Sequence, residues 1–180
     1  MIESVSLAII LQNGNVNKQV VQMLKVLDRK DFVDFVEGFG NSASQFVPSG
    51  VFGFNPSISI QKLDVSFAKN LVKRVSKLEL IPIKILLLKG FESVGAYLKE
   101  HLDPIGFNTI IEYTNPDSFH QKARSADLYF YGWKSDTGTS FDFLKSAVYS
   151  SGTLNFGRYS NIQVDQLIEE VENSAQEEYR

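Results

Sequence analysis

Between residues 67 and 131 the chain alternates helical and extended patterns, and few architectures accept that alternation. Amphipathic helical stretches are expected over 67–77, 93–103 and 117–124, and Ile-, Leu- and Tyr-rich strands over 83–88, 109–113 and 127–131. Strands this apolar are buried on both faces, which calls for a mainly parallel sheet flanked by helices. Right-handed crossovers then bring the three strand ends to one edge. That edge carries Lys89-Gly90-Phe91, Thr114-Asn115 and Gly132-Trp133, with Asp136 just beyond. Ligands of open α/β sheets sit outside the carboxyl ends of strands, so Lys89, Gly132, Trp133 and Asp136 are the candidate ligand-binding residues.

The flanks are less regular. Residues 3–11 suggest a strand closed by the turn Gln12-Asn13-Gly14-Asn15, followed by a helix over 18–27 with Asn17 as its cap and a second over 29–37 ending at Gly38. Residues 40–59 have little periodicity and two prolines, and their phenylalanines favour a packed loop. A short helix is expected over 141–147 with Ser140 as its cap. The last helix, 163–180, starts at Ser160-Asn161-Ile162-Gln163 with Gln163 in a capping box, and packs by Val164, Leu167, Ile168, Val171 and Ala175. It meets no Gly cap or Pro stop, so the chain is expected to be truncated at both ends, with 1–180 forming a single lobe of a larger protein.

Composition removes several function classes. A chain of 180 residues can bury a sizeable core without staples, and the absence of cysteine excludes a thiolate nucleophile, Cys-ligated zinc and iron–sulfur clusters. A net charge of −3 with scattered Lys and Arg offers no basic face for nucleic acid. No apolar run approaches the ~18 residues of a membrane span. The start, Met-Ile-Glu-Ser-Val-Ser-Leu, lacks the positive charge and cleavage site of a signal peptide.

Several motifs in order carry a resemblance: the helical region 20–35, Val47-Pro48-Ser49-Gly50-Val51-Phe52-Gly53-Phe54, Leu98 and Leu102 before Ile105-Gly106, Gly132-Trp133 before Asp136, and Phe143-Leu144. Ser150-Ser151-Gly152 and Tyr159-Ser160-Asn161 with Asp165 and Leu167-Ile168 complete the set. Together they resemble the peptide/nickel-type (family 5) solute-binding proteins of ABC importers, over most of one lobe, the third domain. The resemblance implies a type II periplasmic-binding-protein-like lobe that captures a peptide-like solute and delivers it to a membrane permease. It implies a periplasmic or extracellular, membrane-associated, monomeric protein with no enzymatic activity and no cofactor. In peptide-binding relatives an acidic residue at the position of Asp136 holds the ligand's α-ammonium, with Gly132-Trp133 shaping the pocket. Relatives often place an acidic-Pro pair where this chain has Gly138-Thr139-Ser140, a difference that keeps oligosaccharides and other neutral solutes open as ligands.

Competing readings are weaker. Asp136-Thr137-Gly138 matches the aspartic-protease motif, whose chemistry needs two carboxylates sharing a proton and therefore a dimer of this chain. Its aspartate normally follows an apolar strand directly, whereas Lys134-Ser135 intervene, and the α/β pattern is not the all-β fold of those proteases. His101 and His120 lie on separate amphipathic stretches with no second ligand at metal spacing. Lys89 suits a ligand carboxylate but equally a solvated position. The cluster Lys69, Lys73, Arg74 and Lys77 forms one polar helix face, and no Gly-rich phosphate loop is present.

Overall fold

The computed structural model describes residues 6–11, 27–35, 41–51, 53–59, 65–75, 80–133 and 139–178. In chain order the elements are β1 (Ser6–Leu11), α1 (Arg29–Phe35), α2 (Val65–Val75), β2 (Ile81–Leu88), α3 (Glu92–Leu102), β3 (Phe107–Thr114), α4 (Pro116–Ala123), β4 (Leu128–Trp133), α5 (Phe141–Phe143) and α6 (Ile162–Glu178). A 3-10 turn, Asp103–Ile105, joins α3 to β3, and α5 runs on into a π turn over Leu144–Val148. The expected helix over 18–27 lies outside the described residues except for Leu27.

The strands form one sheet in the order β1-β4-β2-β3. β2 is parallel to both β3 and β4, and β1 closes the far edge antiparallel to β4. β2 is central because its sequence can be buried on both sides. Ile83, Ile85 and Leu87 face one core with Ala68 and Val72 of α2, Val94, Leu98 and Leu102 of α3, and Leu128 and Phe130 of β4. Leu86 faces the other core with Phe119 and Ala123 of α4, Tyr129 and Phe156. Helices therefore cover both faces, as the unbroken apolar strands require.

Pro82 is the residue a central strand should reject, since it donates no ladder hydrogen bond. It is tolerated because β4 reaches β2 only at Ile85↔Leu128 and Leu86↔Tyr129, leaving the β4 side of Pro82 unpaired. Asp127 closes that side next to it: its N–H donates to the Lys84 carbonyl at 2.9 Å and its Oδ2 accepts from the Lys84 N–H at 2.8 Å. On the surface beside it, Glu112 bridges Lys84 at 2.7 Å and Lys122 at 2.8 Å. Bonds from Lys122 and then Lys84 hold the Glu112 carboxyl below the usual carboxylate range.

Residues 41–51 and 53–59 are irregular, and none of them is buried, so the packed loop expected from the phenylalanines is realised only as a surface loop with a few fixed contacts. Gln45 holds the loop across its neck, donating from Nε2 to the Asn55 carbonyl at 2.7 Å and accepting from the Asn55 N–H at 3.1 Å. Phe46 packs at a tilt against Phe143 with ring centres 5.4 Å apart.

Candidate functional site

Because β2, β3 and β4 are parallel, their carboxyl ends do share one edge. Lys89-Gly90-Phe91 follows β2, Asn115 follows β3, and the Lys89 N–H donates to the Thr114 carbonyl at 2.9 Å, locking the two ends level. Gly132 and Trp133 differ from expectation in being part of β4 rather than beyond it. Their backbones pair with Leu7 and Ser6, so the antiparallel β1 extends β4 two residues past Tyr131. Asp136 lies outside the described residues, as does the rest of 134–138.

The turn after β2 is built by its own sequence. Gly90 adopts φ +97°, a conformation that a side chain resists. Its N–H donates to Glu92 Oε1 at 3.1 Å. That bond, the N–H of Glu92 itself and the nearby Lys89 charge hold the Glu92 carboxyl below its ordinary range. Glu92 opens α3 and Asp117 lies in the first turn of α4. Each helix start at this edge thus already carries a carboxylate, which offsets the positive end of its helix dipole. Lys89 is exposed at the same edge.

Phe91 supplies an apolar wall that sequence reading passed over. It is 37% exposed, and its ring lies 5.1 Å from Phe130. The run continues behind it, with Phe130 6.5 Å from Phe32 and Phe32 5.2 Å from Tyr97. The signal was present in Lys89-Gly90-Phe91-Glu92, where a glycine turn leads into a helix and places an aromatic at the strand end. Among the described residues this edge thus combines an aromatic surface with two carboxylates and one lysine.

The motifs from 150 onward serve packing instead. A Cβ on Gly152 would stand 2.3 Å from the Ser146 carbonyl oxygen, so only glycine fits against the π turn. Asn155 organises the segment that follows, donating from Nδ2 to the carbonyls of Tyr149 at 3.1 Å and Tyr159 at 2.7 Å while its Oδ1 accepts from the Tyr159 N–H at 2.9 Å. Asp165 on α6 accepts from the Ser150 N–H at 2.9 Å, which docks that helix. Asn161 caps α6 through bonds from the N–H groups of Gln163 at 3.0 Å and Val164 at 3.4 Å. Gln163 is therefore one position too early for a capping box. Ser140 precedes α5 as expected but makes no side-chain cap bond.

His101 stacks on Tyr97 at 4.0 Å and its Nδ1 bonds the Tyr97 carbonyl at 2.8 Å, while His120 packs on Phe156. Among the described residues no group of three His, Asp or Glu side chains could hold a metal ion, and no helix is long and apolar enough to cross a membrane.

No protein-family model matches the sequence, and no curated protein matches it significantly. Solved structures do. Over 91% of its length the chain superposes, at TM-score 0.71 and 20% identity, on 35% of the ABC transporter-associated periplasmic binding protein DppA from Helicobacter pylori, in complex with the peptide STSA. It matches HbpA2 from Haemophilus parasuis at TM-score 0.79 and 21% identity, covering 93% of this chain and 36% of that one. The oligopeptide-binding protein AppA from Bacillus subtilis, in complex with a nonapeptide, matches at TM-score 0.67 and 17% identity over 93% of this chain and 40% of that one. The chain thus spans between a third and two fifths of these neighbours. It carries the α/β fold of one portion of the ABC-importer solute-binding proteins.

Proposed function

We propose that this chain supplies one lobe of a solute-binding protein that captures a peptide-like solute outside the cytoplasm and passes it to an ABC permease. The observation that carries the reading is the extent of the fold match: more than nine tenths of the chain superposes on proteins whose structures hold peptides. The parallel-strand edge supports it, with Phe91 as apolar surface and Glu92 and Asp117 favouring a cationic group over an anion. The role is binding, not catalysis. An aspartic protease built on Asp136-Thr137-Gly138 fits poorly with this fold, since helices cover both faces of a mainly parallel sheet.

In this reading Asp136 meets the solute's ammonium beside Trp133 and Gly132, and Lys89 lies where a solute carboxylate would end. A closed cleft needs a second lobe, so the decisive test uses the full-length gene product. Asp136→Asn should weaken binding of a short-peptide mixture by about 1.5 to 3 kcal/mol, roughly tenfold to a hundredfold, because one charge-assisted hydrogen bond is lost. N-acetylation of the peptides should produce a similar loss in the wild type and little more in the variant. Calorimetric titration checks both. Unchanged affinity in Asp136→Asn would remove the ammonium site and favour a neutral solute.

A further inference from the structure

β3 is an edge strand, because among the described residues no strand lies outside it. The Gly106 carbonyl accepts from Ile81 and the Thr114 carbonyl from Lys89, so the even-numbered residues between them turn their backbone groups toward β2. Phe107, Thr109, Ile111 and Tyr113 therefore present theirs outward. An open row of this kind is a template for another strand. At Thr109, in the middle of the row, the template is already occupied. The Thr109 N–H donates to Asp103 Oδ1 at 3.0 Å, and its carbonyl accepts from Lys99 Nζ at 2.9 Å. Lys99 and Asp103 are joined by an ion pair of 2.9 Å across one helical turn. One donor and one acceptor on a rigid helix end thus reproduce what a neighbouring strand would offer at that rung.

We propose that Lys99 and Asp103 act as a side-chain stand-in for a fifth strand, closing the β3 edge against strand addition by a second copy of this chain. The stand-in is prebuilt. The two side chains are spaced i, i+4, which puts them on one helix face, and the turn Asp103–Ile105 with Gly106 brings β3 back beneath them. With Thr109 blocked, only Ile111 and Tyr113 remain on the outward row after the guarded rung, too short a run for stable pairing. The second copy is the natural intruder, since it presents the same edge and the pairing is self-complementary about a two-fold axis.

The test compares wild type, Lys99→Ala/Asp103→Ala and Lys99→Ala by sedimentation and by amide exchange at Thr109 over a wide range of protein concentration. The wild type should sediment with a mass independent of concentration and protect the Thr109 amide even when dilute. The double variant should exchange that amide about tenfold faster or more when dilute, as expected for loss of one charge-assisted bond. It should then form a larger species on concentration, in which the amide is protected again. A double variant with native circular dichroism and the wild-type mass throughout overturns the proposal. So does association that leaves Thr109 unprotected, because the contact then lies elsewhere. Should the double variant lose its native spectrum, Lys99→Ala decides: it frees one edge carbonyl from a lysine side chain that is 52% exposed. An unchanged mass in that chain overturns the proposal too.

Discussion

Gly106→Ala is expected to destabilise the chain by about 2 to 6 kcal/mol, combining roughly 1 to 3 for backbone strain with a similar amount for overpacking. Gly106 sits at φ +120°, and a Cβ there would lie 2.4 Å from Val72 Cγ1 of α2. Neither contribution is easily relieved. The Gly106 N–H donates to Asp103 and its carbonyl accepts from Ile81, each at 3.0 Å, so the same residue closes the turn and starts the β2–β3 ladder. Urea denaturation measures the loss. Adding Val72→Ala should recover only the steric part, since the backbone conformation stays strained. A Gly106→Ala chain within about 0.5 kcal/mol of wild type would show that the turn adopts another conformation in solution.

Phe119→Ala should cost about 3 to 5 kcal/mol, the range for emptying a buried aromatic site. Phe119 is 2% exposed and touches the ring of Tyr131 at 5.6 Å, Tyr129 at 6.1 Å and Phe156 at 6.5 Å. It thereby ties α4 and the segment around Phe156 to the second face of the sheet. Tyr129 in the same cluster is buried enough that desolvation pushes its phenol well above the ordinary range. Thermal unfolding with a lowered midpoint is the expected result. A loss under about 1 kcal/mol would mean that the cluster refills the space.

The α/β alternation and the parallel edge were legible because buried strands leave a local signature: Ile83 to Leu88 have little choice but to be covered on both faces. Strand boundaries were less so. Gly132 and Trp133 belong to β4 only because a strand from the other end of the chain pairs with them, and no local pattern announces a long-range partner. Pro82 enters β2 for a similar reason, its unpaired side being set by how far β4 reaches. At the carboxyl-terminal end, Ser150-Ser151-Gly152 carried family resemblance without saying which kind of constraint it recorded. The clash awaiting a Cβ at Gly152 shows that the constraint is packing against Ser146. The edge itself was readable, whereas its aromatic wall at Phe91 required the neighbouring strand to be in place.

The pairing of β1 with β4 also sets an order of assembly. Leu11 joins Leu128 and Ser6 joins Trp133, so residues 12–127, about two thirds of the chain, lie between the partners of that ladder. β2 and β3 are separated only by α3 and its turn, and loop-closure entropy favours the shorter return. The amino-terminal strand should thus be the last to register, docking onto a three-stranded intermediate. During synthesis it would wait, unpaired, until its partner leaves the ribosome. Pulse-labelled hydrogen exchange should find the β1 amides protected after those of β2; simultaneous protection would mean that collapse brings the two ends together before the parallel sheet forms.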